Sequence, residues 1–308
     1  MFVTNKISCY HFIPGNKIFF IKKLSEYIDN THFKIIFDLE DAVNDIFDSN
    51  NSLKLKKEAR VKILNFFKLN SKGEFFVRIN NPDSVHWNQD KYFLKKLKKY
   101  NFKGIVVPKT KKVSELDLIS KFINEDVELI PLIETKEGFK NLKSIINHKK
   151  VSKIIFGHHD YFNDLNIFPI PKSALTSEKY REAMNFILQL IKGKNIEYID
   201  GIHYDLNGFE LEETCQFLCL MAGENKLGKL SVHKNQIKHI LYFKNSYNII
   251  NIRNDDIVSD DELKEQAKKI ITAYESKPSN QGVIKKDDLY ISPQMYLQAI
   301  EVMKREME

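Results

Sequence analysis

The chain has 308 residues and a mass of 36.2 kDa, with 43% hydrophobic and 29% charged residues, a balance that suits a globular protein with a sizeable core and excludes a disordered or fibrous one. The formal charge of +7 comes from lysine doublets scattered along the chain without an aromatic-basic surface motif, so neither nucleic acid nor a membrane is expected as partner. Cys9, Cys215 and Cys219 lack the spacing of a disulfide framework or zinc site, no secretory pattern or 18-residue apolar stretch is visible, and the cytoplasm is the expected location.

Eight short apolar runs recur along the chain: SCYHFIPG (8–15), KIIFDLED (34–41), EFFVRINN (74–81), GIVVPKT (104–110), ELIPLIET (128–135), KIIFGHHD (153–160), YIDGIHYDL (198–206) and KLSVHKNQ (229–236). They are near-continuous, as parallel strands covered on both faces require. Helical spacing lies between them, as at Leu55, Ala59, Ile63, Phe66 and Phe67 and over 177–192. Eight strands alternating with helices predict an α/β fold, the closed (β/α)8 TIM barrel. After about residue 245 the rhythm stops. Ser259 and Glu262 have the spacing of a capping box ahead of one helix, and a second starts near Pro293, with no strand expected between. The expected division is therefore a barrel over 1–248 and a helical extension over 249–308, which must bury its apolar faces across a barrel mouth, its own or that of a neighbouring subunit.

In a parallel barrel, chemistry sits at the C-terminal strand ends. Those ends carry Asp38, Glu40 and Asp41, then Arg78 and Asn80, Lys109, Glu134, the trio His158, His159 and Asp160, Asp205, and His233. Any one of them can be a helix cap or a satisfied rim residue, but all converge on one rim. Glu134 and Asp160 end consecutive strands about 4.8 Å apart, so both carboxylates can share a hard cation. Mg2+ suits that donor set and Mn2+ would fit the same oxygens; the histidines beside Asp160 raise zinc as a rival, but carboxylates on both sides and no HxxxH helix favour the harder metal. The chain has five arginines against 43 lysines, so an arginine in a strand suggests a need for its planar fork, and this singles out Arg78.

These motifs, taken together and in order, resemble the citrate lyase β-subunit-like branch of the HpcH/HpaI aldolase superfamily over nearly the whole chain. The matching segments are FIPGN (12–16), FDLEDAV (37–43), VRIN (77–80), VVPKT (106–110), PLIETKEG (131–138), FGHHDYFNDL (156–165), IDGIHYDL (199–206) and GKLSVHKNQI (228–237). The resemblance implies an Mg2+-dependent carbon-carbon lyase acting on a β-hydroxyacyl thioester of citryl, malyl or citramalyl type. Its partners would be a small 2-oxo acid and an acyl thioester on coenzyme A or a carrier protein. Glu134 and Asp160 would bind the metal and Arg78 a substrate carboxylate. Glu40 and Asp41 would orient water or the adjoining loop, with Lys109 and Asn80 beside the substrate. A homo-oligomer, with a trimer considered, is also implied. Two departures stand out. The position of the family's C-terminal acid holds Ser292, near Asp287 and Asp288, and His159 replaces an acid before the metal aspartate, which makes it the candidate proton carrier. The alternatives are an altered barrel serving as a binding or assembly subunit, and a metal-free aldolase using Lys109 as a Schiff-base nucleophile.

Overall fold

Each of the eight runs coincides at least in part with a strand: β1 (Ile7–Pro14), β2 (Phe33–Asp38), β3 (Phe75–Arg78), β4 (Gly104–Val107), β5 (Glu128–Ile133), β6 (Lys153–Phe156), β7 (Glu197–Asp200) and β8 (Lys226–Ser231). They pair in parallel in chain order and β1 closes on β8, so the sheet is a closed barrel, the (β/α)8 architecture expected. The structure is a computed structural model describing residues 7–304 apart from 71–72, 168–169, 205, 207, 244–251, 253–258, 277–283, 287–288 and 292. Asp205, Asp287, Asp288 and Ser292 therefore lie outside the described residues.

The helices of the barrel are α1 (Ser49–Leu69), α2 (Trp87–Leu97), α3 (Val113–Ser120), α4 (Lys136–Lys140), α5 (Leu142–Ile145), α6 (His158–Asp164), α7 (Glu178–Ile191), α8 (Phe209–Ala222) and α9 (Lys234–Leu241). Side-chain caps explain several of their starts. Asp48 accepts from Asn50 and Asn51, Ser177 accepts from Tyr180, and His233 forms a capping box with Gln236, which accounts for that strand-end histidine. Ala59, Ile63 and Phe67 of α1 face the barrel wall and are buried, as their period requires. The barrel interior is filled by Tyr10, Ile36, Phe76, Ile130, Ile155 and their neighbours, so it is a packed core that leaves function to its mouth. No helix among the described residues is long and apolar enough to cross a membrane.

The C-terminal segment supplies α10 (Asp260–Glu275), capped by the expected Ser259–Glu262 box, and α11 (Pro293–Lys304). Contrary to expectation, strands β9 (Ile284–Lys286) and β10 (Leu289–Ile291) lie between them as an antiparallel pair; three-residue strands are too short to leave a periodic signal. The two helices stack Tyr274 on Tyr296, with ring centroids 4.7 Å apart, and Tyr296 meets the Phe47 edge at 5.6 Å. Ile46 and Tyr204, from loops at the barrel mouth, pack into the same cluster. The pair thus lies over the mouth of its own barrel.

Two expectations about local structure are corrected. His158, His159 and Asp160 do not end β6 but form the first turn of α6, because the chain turns at Gly157, where a Cβ would come within 2.8 Å of the Glu134 Cβ. The second concerns lysine, whose doublets suit solvated helix faces for the most part: Lys56 and Lys229 are instead 2% and 1% exposed, each held by buried oxygen acceptors.

Candidate active site at the barrel mouth

β2 ends in Asp38, which lies directly opposite Arg78 of β3 in the register. Arg78 donates to its carboxylate through Nε at 2.7 Å and Nη2 at 2.6 Å, and the backbone N–H groups of Glu40 and Ala42 each donate at 2.9 Å. Burial works to raise the Asp38 pKa, but the guanidinium and these hydrogen bonds outweigh it and hold the carboxyl below its ordinary value. The planar fork expected to grip a substrate carboxylate is thus already closed on Asp38. The Nη1 corner of Arg78 faces the rim instead, 3.1 Å from Glu40 Oε2 and 3.5 Å from Asp41 Oδ2. The guanidinium carbon lies 4.7 Å from the centre of the Phe12 ring, which fixes the plane.

Lys109 follows β4 with φ of 50°, a left-handed conformation that costs a residue with a Cβ roughly 1–2 kcal/mol. That backbone turns its N–H onto Glu134 Oε1 at 2.7 Å while its Nζ donates to Glu40 Oε1 at 2.8 Å. Burial opposes the ammonium charge, yet Glu40, Asp41, Glu134 and Asp160 prevail and raise the Lys109 pKa. A permanently charged lysine is a poor Schiff-base nucleophile. Glu134 itself is pushed well up, by burial first and then by Asp160, Glu40 and Asp41, with Lys109 opposing. Glu40 is raised by burial and Asp41. For Asp160, burial is outweighed by His159, Lys109 and Arg78, and its pKa is lowered.

Arg78, Asp41, Glu134, His158, His159 and Asp160 all line one cavity of about 110 Å³. His159 Nδ1 is 3.8 Å from Asp160 Oδ1 and 3.5 Å from Gln298 Nε2 of α11, and Pro293 also lines the cavity. A second cavity, of about 290 Å³, shares His159 and Tyr204 with the first and runs under α10 and α11 past Lys172 and Lys269. Asn80 is elsewhere. Its N–H and Nδ2 both donate to Asp90 Oδ2 at 2.7 Å, and its Oδ1 accepts from Lys56 Nζ at 2.8 Å. Lys56 also donates to the Leu39 and Glu40 carbonyls. Asn80 is thus spent on holding the β2 loop, in place of the expected substrate contact.

Sequence reasoning placed Asp38 on the rim without assigning it the Arg78 fork, and it missed Lys56 and the network of Tyr180, Asp200 and Lys229. Asp200 and Lys229 are charged residues inside apolar runs on neighbouring strands, and the register sets them opposite each other. That pattern was the available signal.

Among the described residues no group of three or more His, Cys, Asp and Glu side chains is arranged to hold a metal ion. The donor chemistry still fits a hard cation that takes two protein oxygens and completes its shell with water and substrate. Five carboxylates, Asp38, Glu40, Asp41, Glu134 and Asp160, meet two fixed cations, Arg78 and Lys109, and Glu40 and Glu134 have raised pKa values, through burial first and neighbouring carboxylates second.

Fold and rim together define a (β/α)8 barrel protein with a charged, partly enclosed pocket at the C-terminal ends of its strands. Residues 10–215 match the HpcH/HpaI aldolase/citrate lyase family, and the chain belongs to that family. It is 24% identical over 230 residues to a (3S)-malyl-CoA thioesterase of Cereibacter sphaeroides, spanning 74% of this chain and 73% of that one. Among solved structures, a citrate lyase from Burkholderia xenovorans superposes with a TM-score of 0.63 at 18% identity, covering 97% of this chain and 91% of the other. The CitE protein of Mycobacterium tuberculosis, crystallised with magnesium, acetoacetate and coenzyme A, gives 0.59 at 17% identity over 98% and 99%. At these identities the likeness speaks for the fold.

Proposed function

We propose that the chain is an Mg2+-dependent carbon-carbon lyase that cleaves a β-hydroxyacyl thioester of malyl, citramalyl or citryl type into a 2-oxo acid and an acyl thioester, or joins them. The observation that carries this reading is the gathering of Asp38, Asp41, Glu134 and Asp160 with Arg78 around one cavity, with Lys109 bonded to Glu134 and Glu40 at its edge. Glu134 and Asp160 would hold Mg2+, with Mn2+ able to replace it. The ion, when bound, supplies stabilisation of negative charge on the substrate oxygen. The Nη1 corner of Arg78 and the Lys109 ammonium bind the acid's carboxylate by displacing Glu40 and Asp41. As the carbon-carbon bond breaks, the hydroxyl loses its proton and the thioester fragment takes one. His159, on the path between the two cavities, is the group proposed to carry it. The second cavity, with Lys172 and Lys269 at its wall, suits an apolar thioester arm ending in phosphate. Magnesium, acetoacetate and coenzyme A in the mycobacterial structure support the same ligand classes.

The division into a barrel over 1–248 and an extension over 249–308 belongs to this reading, as does a homo-oligomer. Packing of α10 and α11 against Ile46 and Tyr204 of the same chain supports a site closed within one subunit. A second reading, thioester hydrolysis, is favoured by the relatives named malyl-CoA thioesterases. Incubating the protein and Mg2+ with malyl-, citramalyl- and citryl-CoA separates the possibilities. A lyase releases 2-oxo acid with the thioester intact, whereas a hydrolase releases free thiol and no oxo acid. Mg2+-dependent binding without turnover would leave a binding or assembly subunit.

A further inference from the structure

A buried ring nitrogen at the mouth stands out. His158 is 1% exposed and lines the smaller cavity, yet its Nε2 makes no hydrogen bond among the described residues. The ring is firmly seated. Tyr180 packs on it with centroids 4.7 Å apart, Phe156 and Tyr204 close two more sides, and a Cβ at Gly201 would overlap Nδ1.

The tautomer follows from the bonds behind the ring. Tyr180 Oη lies 2.8 Å from Asp200 Oδ1 and 3.3 Å from His158 Nδ1. A phenol has one proton, and the shorter bond to a charged acceptor takes it. Asp200 is anchored by Lys229 and by Tyr198 Oη at 2.8 Å. Tyr180 is left with a lone pair toward His158, so Nδ1 must carry the imidazole proton and Nε2 must be bare. Because a buried acceptor without a donor is unfavourable, this nitrogen calls for a ligand. Among the described residues no three His, Cys, Asp or Glu side chains are arranged to hold a metal ion, and a hydroxyl donor is the ligand group assigned to this nitrogen.

We propose that His158 is a ligand-contacting hydrogen-bond acceptor, its Nε2 kept bare by the Tyr180–Asp200–Lys229 chain, and that it selects ligands bearing a hydroxyl donor over those without one. Tyr180 is its positioning residue. The role rests on the hydroxy-acid reading of the cavity given above.

Two measurements on the full chain test it. In 15N-histidine-labelled protein, His158 being assigned through His158→Phe, Nδ1 should be protonated and Nε2 bare, and L-malate with Mg2+ should shift the Nε2 resonance. By calorimetry with Mg2+, L-malate should bind about tenfold more tightly than succinate, its counterpart without the hydroxyl, as one hydrogen bond allows. That ratio should approach one in His158→Phe. Tyr180→Phe, which keeps the ring packing should the histidine variant misfold, should mix the tautomers and lower the ratio. A proton on Nε2 in the wild type, or a ratio unchanged in both variants, overturns the proposal. Equal binding of the two acids overturns it while the carboxylate site stands; binding of neither overturns the hydroxy-acid reading and this inference with it.

Discussion

Two ion pairs each bridge neighbouring strands of the barrel, and they have opposite surroundings. Asp38 and Arg78 face each other across β2 and β3, and Asp200 and Lys229 across β7 and β8. The first pair opens into the cavity and is crowded by Glu40 and Asp41. The second is 1% exposed at both side chains and closed over by Tyr180 and Tyr198. The same element, a charge pair across neighbouring strands, therefore does two jobs. Where it is open and overloaded with carboxylate it can exchange partners with a ligand, and where it is sealed and fully bonded it can only hold a shape. Depth and surplus charge decide which.

The largest expected effect lies on the sealed side. Lys229→Met leaves Asp200 buried without its cation and should destabilise the fold by about 3–5 kcal/mol in urea denaturation; a loss under about 1 kcal/mol would mean that the pair is not the anchor described. On the open side the loss should fall on function. Glu134→Ala or Asp160→Ala should lower Mg2+-dependent turnover at least about a hundredfold with a smaller loss of stability than Lys229→Met, since neither leaves a sealed charge without its partner. Arg78→Lys sharpens the contrast because it retains the charge and loses the fork. Activity should fall about tenfold and stability by roughly 1–3 kcal/mol, because Asp38 keeps one of two strong bonds.

An effect confined to acid pH separates the β1–β8 seam from both pairs. His11 bonds Ser231 there at 2.7 Å, and burial, helped by His233, lowers its pKa to about 3. Below the unfolded value of about 6.5 the unfolded chain takes up a proton that the folded one refuses. Stability should therefore fall as pH drops from about 6.5 toward 3, at up to about 1.4 kcal/mol per pH unit from this group. His11→Asn should flatten the profile in that window, and identical slopes in the two proteins would exclude the effect.

The barrel was legible because parallel strands write continuous apolar runs, and eight of them in order leave few alternatives. Arg78, Glu134, His159 and Asp160 were legible as polar residues at strand ends, and the structure brings them into one cavity. The partners of those residues were not. Whether the Arg78 fork is open or closed on Asp38 depends on rotamers, and Asn80 turns to Asp90 because Lys56, on a helix that reads as solvated, is drawn inward by the β2 loop. The β6 end was misread because HHD follows a strand without a proline or polar break, and Gly157 turns the chain only where it meets Glu134.

The central claim, that Glu134 and Asp160 share one divalent ion at the mouth, is tested most directly by anomalous diffraction from crystals grown with Mn2+ and oxaloacetate. The account predicts one manganese peak about 2.0–2.2 Å from an oxygen of each carboxylate, lost in Glu134→Ala. A peak bound to one of them alone, or found away from the mouth, would contradict it.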